Sequence, residues 1–211
     1  MIVTTGMLKK QYESYANPLD KIRREAESGT IIRIRRGIYE TDPNVEPYYL
    51  ASSILSPSYL SFEFALSFYG LIPERVISIT SASLYTRKNK TFVNQFGRYD
   101  FSDIPVEAFP EGLTYTGSGE YIVRIATKEK ALCDSLYKWR VVHSIKGLKE
   151  LLFEDKRIDE EEFASCDFEQ LTRLAKLYHR TNLKLLIGLI EKDYLPGRTN
   201  DFRTGKELQL G

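Results

Sequence analysis

"TIIRIRRGIYE", residues 30–40, is where the chain changes its hydrophobic period, and its reading decides the first module. Side chains on a strand alternate between two faces, so Ile32 and Ile34 share one side and Arg33 takes the other. Arg35, Arg36 and Gly37 then make a tight turn into Ile38 and Tyr39. The spacing predicts a short hairpin, anchored by isoleucines and carrying arginines at its tip. Just upstream, "YANPLDKIRREAESG" predicts a helix with both ends marked: Asn17 as N-cap, Pro18 at the first position, Asp20 in the first turn and Gly29 as the stop. At about 100° per residue, Leu19, Ile22 and Ala26 fall on one face, Lys21, Arg24 and Ser28 on the opposite one, and Arg23 near the edge of the apolar stripe.

A helix with an outward basic face, followed directly by such a hairpin, has the order of the recognition helix and wing of a winged helix-turn-helix. The isoleucines would anchor the wing while Arg33, Arg35 and Arg36 reach phosphate or a narrow minor groove, with Lys21, Arg24 and Ser28 facing bases. Upstream, "TTGMLKKQYESYA" provides one further short helix with a Thr cap and apolar Met7, Leu8 and Tyr12. The expectation is therefore an abbreviated winged helix over residues 1–46. A core that small must be covered by the rest of the chain or by a second protomer.

Charge supports a division of labour. The whole chain carries +1 with 30 Lys+Arg against 29 Asp+Glu, yet residues 1–39 hold eight basic and four acidic side chains. A basic module on a slightly acidic body suggests a polyanionic partner for the first part only. Cys133 and Cys166, the two cysteines, form no CxxC pair and have no His at ligand spacing, so neither a disulfide framework nor structural zinc is expected. A reducing cytoplasm fits that usage. The opening "MIVTTGMLKK" puts its charge after the apolar residues, unlike a signal peptide, and "LLIGLI" is too short to span a bilayer.

"ETDPNVEP" reads as a linker, after which residues 47–195 predict a mixed α/β body, an α+β arrangement with a small sheet and C-terminal helices. "YYLASSIL" looks helical, and Ser61 can cap a helix running to Phe68, with Gly70 as its stop. "RVISITSASL" and the stretch from Thr91 to Arg124 predict about four to six strands, broken by "FPEG" and the hairpin turn "TGSGEY". Thr127 then caps the helix of "ATKEKALCDSLYKW". Four helices follow: "SIKGLKELLF", "DEEEFA" with Asp159 and Glu162 at capping-box spacing, "DFEQLTRLAKLYH" with Asp167 and Gln170 likewise, and "NLKLLIGLIEKDYL" capped by Asn182. Residues 196–211 are polar and expected to fray as a flexible tail.

Signals for catalysis are sparse. His143 and His179 lie near predicted helix ends and are assigned no role. The strand region lacks the Glu-x-Lys of a metal-dependent nuclease, and no phosphate-binding glycine motif or nucleophile elbow occurs. An enzyme is disfavoured, and no cofactor or metal is called for. One polar cluster stands out: Arg124 at a strand end, then Glu129, Lys130 and Asp134 on the next helix, with Lys130 and Asp134 four apart on one face. It is either a structural ion pair holding that helix to the sheet or a ligand or partner site.

Three stretches together resemble the AbiEi-type antitoxins of type IV toxin–antitoxin (abortive infection) systems. "GTIIRIRRGIYE" is similar to that family's wing, "YLSFEFALSFYGLIPE" to the opening helix of its antitoxin domain, and "VRIATKEKALCDSLY" to a segment that usually reads R-x-A-T-P-E-K-A-L-x-D. Lys128 stands where the family has proline, and the N-terminus is shorter than its usual winged helix. The resemblance implies a transcriptional regulator: an N-terminal winged helix that binds double-stranded DNA to repress its own operon, and a C-terminal domain that counteracts a nucleotidyltransferase-like toxin without a stable complex. On that implication Arg33, Arg35, Arg36 and Gly37 form the wing, and Ser61, Glu63, Arg124, Glu129, Lys130 and Asp134 belong to the antitoxin segment. A homodimer on an inverted repeat would be the natural binding form. Two alternatives remain open: a protein-interaction module without DNA binding, and a degenerate nuclease or transferase centred on Arg124, Glu129, Lys130 and Asp134.

Overall fold

The structure, a computed structural model, describes residues 1–84, 86 and 88–195 of the 211-residue chain. The expected fraying of residues 196–211 lies outside the described residues. Among the described residues the architecture is α/β, built on two sheets.

The first sheet is formed by β1 (Ile2–Thr4), β2 (Ile32–Arg35) and β3 (Ile38–Glu40), in the order β1-β3-β2, all antiparallel. Between β1 and β2 run α1 (Thr5–Gln11) and α2 (Pro18–Glu27). The caps read from the sequence form as expected: the Thr4 side chain accepts from the Met7 amide, and the Asn17 side chain accepts from the Asp20 amide with Pro18 at the first helical position. Gly37 turns the hairpin at φ 82°, a conformation that only glycine adopts without strain. The strand β1 was not anticipated; three residues are too few to show a period, and they become a strand only by pairing with β3.

Val3, Leu8, Ile22, Ile31 and Tyr39 close a small core between these helices and strands. At roughly 1.5–3 kcal/mol per buried side chain, five such residues cannot offset the ordering entropy of some forty residues. The body completes the module. Ile34 is buried in the large core of the rest of the chain, and its carbonyl accepts from Asn94 Nδ2 at 3.1 Å. Glu40, fully buried, accepts from the hydroxyl of Tyr121 at 2.8 Å. Of the segment read as a linker, residues 40–47, Glu40 ends β3 and Pro47 opens a 3-10 turn; the residues between them are irregular, yet Val45 is buried in that same large core.

The body opens with a 3-10 turn (Pro47–Leu50) running into α3 (Ala51–Ile54). Its six-stranded sheet has the order β6-β7-β5-β4-β9-β8, from β4 (Ser58–Leu60), β5 (Ser78–Ser83), β6 (Lys90–Asn94), β7 (Gly97–Asp103), β8 (Leu113–Ser118) and β9 (Tyr121–Ala126). The pairings β5–β7 and β4–β9, which flank the central antiparallel pair β4–β5, are parallel, and the others are antiparallel. The strand β4 was also missed, again at three residues, and it is buried at every position. The helices are α4 (Phe62–Phe68), α5 (Lys128–Lys138), α6 (Ile145–Lys149) continuing as a π-helical stretch to Asp155, α7 (Glu160–Ala164), α8 (Phe168–Lys176) and α9 (Thr181–Asp193). At the centre α5 packs on α4, α8, α9 and β9.

Thr127, Asp159 and Asp167 cap α5, α7 and α8 through their side chains as the sequence predicts. Two predicted caps are corrected. Ser61 occupies the position before α4 but makes no capping bond; its hydroxyl donates to Asp134 instead. Asn182 lies inside α9, whose N-cap residue is Arg180. Buried, it accepts from the Val142 amide and donates to the Leu136 and Arg140 carbonyls, tying α9 to the end of α5.

Candidate nucleic-acid interface

The basic module presents fewer available charges than its sequence suggests. Lys21, expected to face bases, is ion-paired with Glu25 one turn on at 2.7 Å, and its ammonium lies 5.3 Å from the Tyr15 ring centre. Hydrogen bonding to Glu25 raises the Lys21 pKa, and the same pairing lowers that of Glu25. Ser28, also placed among the base-facing residues, is the C-cap of α2; its hydroxyl donates to the Glu25 carbonyl and contacts the Thr30 hydroxyl at 2.9 Å. Arg23 pairs with Asp20 at 3.3 Å and approaches Glu27 at 3.9 Å. Arg35 sends one guanidinium nitrogen back to the carbonyl of Ile54, where it fastens the hairpin to α3.

Arg24, Arg33 and Arg36 remain. All three are exposed, and among the described residues none forms an ion pair. Arg33 rests over the Tyr39 ring at 5.7 Å, opposite it in the β2–β3 register, which orients the guanidinium without neutralising it. Lys9 and Lys10 are exposed in the last turn of α1. Leu19, read as part of the buried face of α2, is 52% exposed, as is Met7, and Tyr15 is 50% exposed. The amphipathic pattern failed at Leu19 because α2 is covered only toward its middle and end, where Ile22 and Ala26 meet the small core.

The second set of expected site residues is a scaffold in this structure. Lys130 and Asp134 are both fully buried and 3.3 Å apart. Asp134 accepts from the hydroxyls of Ser61 at 2.6 Å and Tyr59 at 2.9 Å, and from that of Tyr178. Lys130 donates to the Ala108 carbonyl and to the Tyr178 hydroxyl, each at 2.5 Å, with the Tyr178 and Tyr59 rings on its flanks. Burial pulls the Lys130 ammonium below its usual pKa, with Asp134 opposing, and burial with the nearby carboxylate pushes Tyr59 and Tyr178 well above theirs. Of the two readings of this pair, the geometry is that of a structural ion pair in the seam between α5 and the sheet. Glu129 accepts from the Asp167 amide at 3.0 Å and so holds the start of α8, while Glu63 accepts from the Trp139 indole at 3.2 Å. Arg124, opposite Tyr115 in the β8–β9 register, makes no hydrogen bond to this network among the described residues. The four residues that an enzyme would need in one cleft are therefore not gathered in one. Tyr59 and Tyr178, which complete the network, carried no local signal: they lie 75 and 44 residues from Asp134.

Compared with known proteins, the chain matches no family model and no curated protein. Among the described residues, no group of three acidic, His or Cys side chains is placed to hold a metal, and no helix is long and apolar enough to cross a membrane. Cys133 and Cys166 are buried free thiols, and desolvation drives the Cys133 pKa well up and that of Cys166 to about 12. Neither is poised as a nucleophile.

Proposed function

We propose that this chain is a cytoplasmic DNA-binding regulator of the antitoxin type: its first forty residues hold double-stranded DNA upstream of its own gene, and its body counteracts a nucleotidyltransferase-like toxin. The observation that carries the first half is a β-α-α-β-β unit, seated on the body, that leaves Arg24 on its second helix, and Arg33 and Arg36 on its hairpin, exposed and without counter-ions among the described residues. Unpaired guanidinium groups on a rigid support suit phosphate contact. The pair made by Arg23 does not close the surface, since exposed ion pairs are worth roughly 0–1 kcal/mol and give way to a phosphate. The second half rests on the three sequence stretches named above. Within it Ser61, Glu63, Glu129, Lys130 and Asp134 act as scaffold, and Arg124 is the one of the six left to meet a partner.

The test is fluorescence anisotropy of a duplex from upstream of the gene, titrated with salt. Arg33→Ala and Arg36→Ala should each lower the slope of log affinity against log salt by about one unit, across sequences. Arg24→Ala should relax sequence preference by roughly 1–3 kcal/mol for a lost base contact. Absence of duplex binding at low salt would overturn the regulator. For the antitoxin half, co-expression with the toxin from the neighbouring reading frame should restore growth, and Arg124→Ala should reduce the rescue.

A second reading, a protein-docking module, is favoured by the exposed Met7, Tyr15 and Leu19 on α1, α2 and their connection. It predicts a stable co-purifying partner and loss of that partner with Leu19→Asp, with no duplex binding.

A further inference from the structure

At the foot of the large sheet, the 3-10 turn, α4, the Arg75–Ile77 segment and the start of β7 enclose an open cavity of about 310 Å3. Its walls are aromatic and aliphatic: Tyr48, Phe64, Phe68 and Phe96 line it together with Val76 and Ile79. The rings form part of a continuous ladder. Tyr48 lies 5.5 Å from Phe64, which stacks on Phe68 at 6.5 Å. Phe68 is 48% exposed and Ile77 95% exposed, so the rim is apolar where soluble surfaces are usually polar. Two lining residues, Glu46 and Arg75, supply opposite charges. Both are exposed, and among the described residues neither is paired with the other or with any third group.

We propose that this cavity binds a free aromatic amino acid, with the ring against the aromatic lining, the α-carboxylate on Arg75 and the α-ammonium on Glu46. Three features select that class. Small-ligand pockets run from roughly 300 to 1,000 Å3, and one at the lower limit takes a single ring with a short polar arm and excludes a dinucleotide or an extended peptide. One unpaired cation and one unpaired anion at the same rim match a zwitterion, where a nucleotide would need several positive groups. Four aromatic side chains in the lining, Tyr48, Phe64, Phe68 and Phe96, offer ring faces and edges that favour an aromatic side chain over an aliphatic one. The assignment goes beyond the regulator described above and does not depend on it, since ligand binding needs no DNA.

Calorimetric titration of the full chain with L-phenylalanine, L-tyrosine and L-tryptophan tests it. At least one should bind with one-to-one stoichiometry, and L-leucine should bind at least about ten-fold more weakly. N-acetyl-L-phenylalanine, which lacks the ammonium, and L-phenylalaninamide, which lacks the carboxylate, should each lose about ten-fold relative to the parent. Arg75→Gln should remove the penalty of the amide, and Glu46→Gln that of the acetyl compound; both positions are exposed, and thermal melts would confirm that the variants fold. Failure of all three amino acids to bind at millimolar concentration overturns the proposal. So does binding that ignores both substitutions, or equal binding of the acetylated compound, which would mark the cavity as a seat for a peptide end.

Discussion

Removing the Asp134 carboxylate should be among the most damaging single changes available to this fold. Asp134→Ala takes away the acceptor of three buried hydroxyls, those of Tyr59, Ser61 and Tyr178, and leaves the Lys130 ammonium buried without its counter-charge. Each orphaned buried donor costs about 1–3 kcal/mol, and breaking a buried ion pair from one side costs about 3–5 kcal/mol. These terms overlap, because Lys130 can lose its proton and Tyr178 can turn, so a loss of about 4–5 kcal/mol is expected, a large share of a typical total of roughly 5–15 kcal/mol. Lys130→Met should cost less, about 3 kcal/mol, the lower end for one-sided loss of a buried pair. The carboxylate it leaves keeps its three hydroxyl donors, and the Ala108 carbonyl is the main orphan. The double variant should cost less than the sum of the two, by about 1–3 kcal/mol, since its second substitution removes a charge already uncompensated. Urea unfolding followed by the fluorescence of the single tryptophan, Trp139, would measure all three. An Asp134→Ala loss below about 1 kcal/mol, or additive single effects, would refute the view of this network as a closed, dry assembly.

The same seam makes Gly112 intolerant of a side chain. A Cβ there would lie 2.9 Å from Lys130 Cβ and 3.0 Å from Leu174 Cδ1 at φ +66°, so Gly112→Ala should cost about 2–4 kcal/mol in overpacking and backbone strain. Gly29→Ala, at φ +78° with nothing within 4 Å, should cost only about 1 kcal/mol; equal losses in thermal melts would show that the seam is looser than this. Stability should fall in alkali. Folded Cys133, Cys166, Tyr59 and Tyr178 keep protons that the unfolded chain releases, so their contribution is complete below the unfolded thiol value near about 8.5 and is lost as pH rises above it. Lys130 acts in the opposite sense, because its lowered folded pKa makes the unfolded chain the better proton binder up to about pH 10.4. One lysine against two thiols and two tyrosines leaves a net loss, and a urea midpoint that held constant or rose between about pH 9 and 11 would contradict it.

Local chemistry was legible in the sequence wherever one residue answers to its near neighbours. Asn17 with Pro18, Thr127, Asp159 and Asp167 begin helices because a side-chain oxygen reaches an amide two or three residues on, and Gly37 turns a hairpin because it alone lacks a Cβ. The succession of two helices and a hairpin in the first module and the α/β class of the body follow from such signals and from changes of period. Only the tertiary structure decided what each polar group is for. Ser61 has the right type and position for a cap, but Asp134, 73 residues away, accepts its hydroxyl. Lys21 and Arg35 have the charge for DNA, yet Glu25 and the Ile54 carbonyl engage them. Strands of three residues such as β1 and β4 exist because a neighbour pairs with them, and a buried ion pair exists because four stretches of chain, around Tyr59, Ala108, Asp134 and Tyr178, converge on it. The physical reason is range: capping and periodicity act within about a turn of helix or a hairpin, whereas desolvation and pairing of charge are set by residues that meet only when the whole chain has closed.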